Sequence, residues 1–213
     1  MPNQLAITLK SGSGRERLLA AAVPLFAAKG YAATSVRDIL RAAGVTAPVL
    51  YYHFGSKEGL FLAIAQEGRA KFEAARTEAL RPGGSAAVRI LRLAHAHLAV
   101  RREYADLAWV VEQILSGPPE AAPPYDFRGA VRESLARFEA LVEEGIANGE
   151  FRPCAPRQVA LAVMGALEVA FRARIYDDRD DGNPDDVLES VLALLLSGLT
   201  GTPGAARHPL PIT

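Results

Sequence analysis

Residues 35–60 read SVRDILRAAGVTAPVLYYHFGSKEGL, and the placing of glycine and apolar residues in this stretch decides the fold. Thr34 or Ser35 is suited to cap a short helix that ends at Ala43 before Gly44. Gly44 stands where a tight turn needs positive φ. Thr46 is placed to cap the next helix, and Pro48 sits in its first turn, where a missing N–H does no harm. That helix runs to Phe54 and stops at Gly55. Ile39, Ala43, Val45 and Leu50 fall on the inner side and fix the angle between the two helices, leaving Thr46, Ala47, Pro48, Val49, Tyr51, Tyr52 and His53 outward. Two short helices joined by a glycine turn, the second projecting outward, form a unit that fits the major groove of DNA.

On the N-terminal side the spacing predicts a helix from Arg15 to Lys29, with Leu18, Leu19, Ala22, Leu25 and Phe26 on one side and Gly30 as its stop. Pro24 lies inside it and predicts a bend, not a break. On the C-terminal side Ser56 caps a long helix, KEGLFLAIAQEGRAKFEAARTEAL, whose stripe of Leu60, Phe61, Ile64, Ala65 and Phe72 ends before Pro82 and Gly83. Further helices are predicted near 86–102, 104–115, 126–148, 156–176 and 185–199, with no period-two alternation of the kind strands require. The expected fold is all-α, with about nine helices. It divides into an arm at 1–14, a helix-turn-helix domain at 15–60, a larger effector-binding and dimerisation domain at 61–201, and a mobile tail at 202–213.

The 213 residues are half apolar, enough to bury a substantial core. One cysteine, Cys154, excludes a disulfide framework or a multi-cysteine metal site. Neither a secretory signal nor a run of about eighteen uncharged apolar residues is present, which favours a cytoplasmic protein with no membrane partner. The net charge is zero, but it is unevenly distributed. From Lys10 to Lys57 seven basic residues face only Glu16 and Asp38, leaving this segment at +5 and the remainder at −5. A basic module on an acidic body suits contact with a polyanion.

The segment KGYAATSVRDI followed by AAGVTAPVLYYHFGSKEGLF, preceded by LFAAKG, resembles the DNA-binding segment of the tetracycline-repressor (TetR) family of bacterial transcriptional regulators. The resemblance implies that Ser35 or Thr34, Tyr51, His53 and Lys57 contact phosphates, while Arg37, Ala47, Pro48 and Tyr52 face the groove, with Thr46 at the start of the reading helix. Lys57, in the first turn of the long helix, would join the amide ends that attract phosphate. Arg37 suits a guanine, and Ala47 or Pro48 a thymine methyl. The sequence departs from the family pattern at Leu40, commonly alanine, and at Ala47, where many relatives carry a long polar side chain. So few polar groups face the groove that methyl contacts and DNA shape are expected to share in operator choice.

A helix-turn-helix reader usually works as a two-fold dimer. Val159, Val163, Leu167 and Ala170 on one late helix, with Val187, Val191, Leu194 and Leu195 on the other, are the expected four-helix interface. Leu91, His95, Leu98, Trp109, Ile114, Phe127, Phe138, Leu141 and Phe171 offer lining for an apolar or aromatic effector, with Glu168 as a polar anchor or simply the ion-pair partner of Arg172. His95 and His97 are two apart, so they diverge on a helix and do not chelate together. No metal or cofactor is expected. No HExxH, phosphate loop, dinucleotide glycine pattern or nucleophile with a neighbouring base is evident, so catalysis is not expected. The resemblance implies repression by the apo dimer and release when an effector tilts the long helix and spreads the reading helices. A helical adaptor that has lost DNA binding is the alternative.

Overall fold

The computed structural model describes residues 12–118, 122–172 and 183–200. Nine α-helices lie among them: α1 Gly14–Lys29, α2 Val36–Ala43, α3 Ala47–Phe54, α4 Lys57–Ala79, α5 Ala86–Glu103, α6 Ala105–Ser116, α7 Phe127–Ala147, α8 Pro156–Phe171 and α9 Pro184–Thr200. The expected tail, most of the N-terminal arm, the end of the 156–176 helix and the acidic run around Asp177–Asp181 fall outside the described residues. α1 continues through Pro24 as one helix. Serine side chains set the starts of three helices. Ser13 and Ser35 form capping boxes with Glu16 and Asp38, and the Ser56 hydroxyl accepts the amide of Gly59 at 3.0 Å. Thr46 occupies the cap position of α3, but its side chain makes no capping bond, so the hydroxyl expected to cap that helix is left for other partners.

Packing divides the chain into two compact units, one of residues 1–74 with 100–130, the other of 75–99 with 131–213. The first unit closes around Leu18, Ala22, Phe26, Ile39, Leu50, Leu60 and Phe61, all at most 1 % exposed. The Phe61 ring lies 5.5, 5.0 and 6.0 Å from those of Phe26, Tyr31 and Phe127, in edge contacts that aromatic quadrupoles favour. Residues 100–130 are integral to this unit. Val110 and Phe127 are buried in its core, and Gln113 Nε2 donates to the Ala27 carbonyl at the end of α1 at 2.8 Å. Nothing local in the sequence shows this, because an apolar stripe announces a buried face but not its partner.

In the second unit, α5, α7, α8 and α9 enclose Ile90, Leu93, Leu98, Phe138, Val142, Val163, Leu167, Leu188 and Leu192. The turn after α7 fastens two helix ends. Glu150 accepts the Ala86 amide at 2.6 Å, satisfying the start of α5. Arg152 donates its backbone amide to Leu199 and its Nε to Gly198, at 2.9 and 2.8 Å, satisfying carbonyls that α9 leaves free.

Candidate nucleic-acid interface

The turn between α2 and α3 is built as the sequence implies. Gly44 adopts φ 62° and ψ 38°, a left-handed conformation that ends α2. Arg17 on α1 adds a contact that the sequence did not announce, donating from Nη1 to the Gly44 carbonyl at 3.4 Å. Ile39, Ala43 and Leu50 are buried beneath the two helices. Arg37, Thr46, Pro48, Tyr51, Tyr52 and His53 are exposed, with Tyr52 at 85 % and Tyr51 at 55 %, and Ala47 is half-buried beside them. Two large aromatic side chains left in water on one short helix carry an unrealised contact surface. Arg37 has no ion-pair partner among the described residues, whereas Arg41 and Lys29 lie 2.8 and 3.7 Å from the Asp38 carboxylate.

Three of the expected phosphate ligands turn out to have structural duties. Thr34 is fully buried, and its hydroxyl donates toward the carbonyls of Gly30 and Leu25, at 2.8 and 3.2 Å. Its hydroxyl is thus engaged within the fold. Ser35 is exposed but committed to the capping box: Oγ accepts the Asp38 amide at 3.1 Å and donates to Oδ2 at 2.8 Å. These hydrogen bonds from Ser35 hold the Asp38 carboxyl below the usual carboxylate range.

Lys57 likewise has partners within the fold. Its ammonium donates to the carbonyls of Tyr31 and Thr34, each at 3.1 Å, and stands 4.3 Å from the centre of the Tyr31 ring. A helix N-terminus repels a cation, and the two carbonyls from the preceding loop compensate for that position. Replacing Lys57 by Met keeps the stem and orphans both carbonyls, so the first unit should lose about 1–3 kcal/mol. Urea unfolding followed by Trp109 fluorescence reads this, because the chain's single tryptophan lies in that unit. A pure phosphate ligand would leave the unfolding curve where it was.

The loop that Lys57 secures closes over Tyr31, whose pKa burial and the Glu58 carboxylate push up to about 12. The fold favours the neutral phenol, so this contribution to stability is complete below pH 10 and lost as pH rises from 10 toward 12. The absorbance difference between the parent and Tyr31→Phe at 295 nm should titrate near 12; a midpoint near 10 would place the phenol in water. Glu58 lies below its ordinary range, held by its own backbone amide and then by the Ser56 hydroxyl.

Beside these groups lies a recess of about 360 Å³, lined by Ala32, Ala33, Thr34, Ser35, Val36, Tyr51, Ser56, Lys57 and Glu58. The first turns of α2 and α4 both open onto it, and helix N-termini present amide donors to anions. Tyr51 supplies the exposed edge. The recess thus brings the first turns of two helices together with Tyr51 and Lys57.

The residues expected elsewhere separate differently. Leu98, Phe138 and Leu141 are buried in the core of the second unit, with Leu91 and Phe171 packed half-buried against it. Trp109, Ile114 and Phe127 belong to the first unit, where Phe127 packs on Tyr125 and Phe61. The expected lining residues thus fall in both units. Glu168 pairs with Arg172 one turn away, and His95 Nδ1 lies 3.6 Å from Asp185. Of the expected dimer residues, Val159, Val163, Leu167 and Ala170 are at most 8 % exposed in the chain's own core, and Val187 and Leu195 pack against it. Val191 and Leu194 alone of that set point outward, at 41 % and 77 %. Among the described residues there is no cluster of three or more metal-ligating side chains and no helix long and apolar enough to cross a membrane.

Comparison with known proteins agrees with this architecture. The family model for bacterial regulatory proteins of the tetR family matches residues 18–64, and the tetracyclin repressor-like C-terminal domain matches residues 83–199, more than half the chain. The HTH-type transcriptional repressor KstR2 of Mycolicibacterium smegmatis is 27 % identical over 195 residues, covering 90 % of this chain and 93 % of its own. Among solved structures, the TetR family regulator PfmR of Thermus thermophilus superposes with a TM-score of 0.68 at 27 % identity, covering 85 % of this chain and 97 % of its own. KstR2 of Mycobacterium tuberculosis superposes with a TM-score of 0.71 at 22 % identity, over 91 % and 98 %. With the capped helix pair, the glycine turn and its exposed reading helix in place at one end of the sequence and the helical domain matched at the other, this chain belongs to the TetR family of ligand-responsive, DNA-binding transcriptional regulators.

Proposed function

We propose that the chain is a repressor that binds a palindromic operator as a homodimer and leaves it when an apolar or aromatic effector binds. Repressors stand among its relatives, including the KstR2 protein matched over nine-tenths of this chain. The observation that carries the DNA half of this reading is the exposed face of α3, with Tyr51, Tyr52, Pro48, Thr46 and His53 in water and unpaired Arg37 on α2. In this reading α3 enters the major groove, its first turn nearest the base edges, with Thr46 free to bond and Ala47 and Pro48 against thymine methyls. Arg37 reads guanine. A phosphate lies in the recess against the first turns of α2 and α4, with Tyr51 at its edge. Residues 15–60 supply the DNA contacts and 61–201 the effector and dimer functions.

The dimer interface is reassigned to the outer faces of α8 and α9. Leu161 and Val169 are 52 % and 46 % exposed, and Val191 and Leu194 continue the apolar surface on α9. A Cβ at Gly165 or Gly198 would meet nothing within 4 Å, leaving room for a second copy to approach closely. Effector binding acts by population shift: the released state must bind effector roughly 10² to 10⁴ times better than the DNA-bound state. α4 is the proposed transmitter, since it begins at Lys57 beside the recess and its last residues, from Ala75, belong to the second unit.

Fluorescence anisotropy on a duplex selected from a random pool by the purified protein tests the contact map. Arg37→Ala should weaken binding by about 1–3 kcal/mol and relax the preference at one guanine of each half-site, whereas Tyr51→Phe should weaken all duplexes alike. Unchanged affinity and preference in both variants would move the DNA surface elsewhere and favour the adaptor reading.

A further inference from the structure

The first turn of α1 meets the reading helix at its approach, its flank and its end. Arg17 Nη1 donates to the carbonyl of Gly44, in the turn before α3 begins. Arg15 holds its guanidinium 5.7 Å from the centre of the Phe54 ring, at the last residue of α3, while its Nη2 donates to Glu67 on α4 at 2.9 Å. Between them Gly14, the first residue of α1, comes so near α3 that a Cβ there would stand 2.6 Å from Cγ1 of Val49 and 3.9 Å from Nε2 of His53. Carbon atoms in good contact lie about 3.5–4.0 Å apart, so a methyl at position 14 requires about 1 Å more room. Val49 is half-buried against the core of the first unit, and a valine in a helix keeps one strongly preferred χ1 rotamer. Its side chain does not swing aside, and the backbone of α3 has to yield. No positive φ calls for glycine at position 14, and glycine is a poor helix former. What the missing side chain provides is the close seat of Val49.

We propose that Gly14 is a positioning residue for base readout: its absent Cβ lets α3 sit where Thr46, Ala47 and Pro48 meet the base edges. The proposal rests on the operator-binding reading and adds to it a specificity determinant outside the helix-turn-helix, one that acts without contacting DNA itself. Val49 follows Pro48 directly in the first turn and a half of α3, so a push on its side chain is delivered to the part of the helix nearest the bases. Hydrogen bonds to base edges hold over roughly 2.7–3.2 Å, a window narrower than the displacement that a methyl at position 14 demands. Methyl contacts with thymine fade over a similar distance. Contacts to phosphates depend less on the pose of α3, because charge attraction falls off slowly with distance.

The test compares the parent chain with Gly14→Ala, each used to select duplexes from a random pool and then measured by fluorescence anisotropy on the duplex that the parent prefers. Gly14→Ala should bind that duplex about 10- to 100-fold more weakly. It should also select duplexes with a changed preference at the bases under the first turn of α3. The slope of log affinity against log salt should stay that of the parent, since no charge has been removed. Val49→Ala deletes the atom that the new Cβ meets. In the double variant Gly14→Ala/Val49→Ala the parent's base preference should return, with affinity within about threefold of Val49→Ala alone. Parent-like affinity and preference in Gly14→Ala overturn the positioning role while leaving the regulator reading intact. A loss on every duplex alike that Val49→Ala does not restore also overturns it, by making Gly14 a requirement of folding only. Failure of the parent to select any duplex overturns both readings.

Discussion

Replacing Leu194 by Glu is expected to convert the dimer to a monomer at concentrations where the parent is fully associated. Leu194 is 77 % exposed on a helix whose opposite side, Leu188, Leu192 and Leu196, is buried in the second unit. An apolar side chain so exposed has little to lose in the isolated chain, so the substitution should leave its stability within about 0.5 kcal/mol. In the proposed dimer the same position would lie against a second copy. Burying a leucine is worth about 1.5–3 kcal/mol, and two-fold symmetry doubles it. The variant also brings two carboxylates together in a desolvated interface. Dimer dissociation should therefore rise by at least about 100-fold in sedimentation equilibrium, and operator affinity should fall with it, because one half-site is lost. Val163→Ala supplies the contrast: at 0 % exposure it should cost about 1–3 kcal/mol in folding and leave association alone. A Leu194→Glu protein that dimerises like its parent would place the interface on another face.

Phe61→Ala should be the most damaging single truncation in the DNA-binding unit. Phe61 is fully buried and touches the rings of Phe26 on α1, Tyr31 in the loop that Lys57 secures, and Phe127 at the start of α7. One side chain thus joins the segments that fix α2 and α3. Its loss removes the transfer free energy of the ring and leaves a cavity between three others, about 3–5 kcal/mol in all. That is a large fraction of the roughly 5–15 kcal/mol available to a folded domain. Urea unfolding reported by Trp109 should move to markedly lower denaturant, with DNA binding lost alongside. A shift worth less than about 1 kcal/mol would mean that the aromatic cluster is not the keystone of this unit.

Helix positions were legible because punctuation and apolar spacing are local. Gly30, Gly44 and Gly55 end helices where expected, and serines open them. The outward set on α3 was legible for the same reason except at Val49, which was expected outward but packs half-buried against the core of the first unit, beside Gly14 of α1. Polar assignments were less secure, because a side chain's partner is a property of the fold. Thr34 and Lys57 bond to carbonyls of residues 25–34, brought to them by the turn between α1 and α2. Arg17 and Gln113 reach backbone 27 and 86 residues away along the chain, which no local pattern encodes. The expected dimer residues divide between the chain's own core and its surface for a further reason. α8 is apolar on both sides, Val159, Val163 and Leu167 inward and Leu161 and Val169 outward, and periodicity alone cannot say which stripe meets the chain's own core.

On the proposed function, the α2–α3 surface reads a symmetric DNA site. Sequencing the duplexes that the purified protein enriches from a random pool measures this directly. The expected result is a palindrome with half-sites one helical turn or a multiple of it apart, bound one dimer or more per site, with affinity falling steeply as salt rises. Recovery of no common sequence, with equal and weak affinity for every duplex and no effect of Arg37→Ala or Tyr51→Phe, would contradict it.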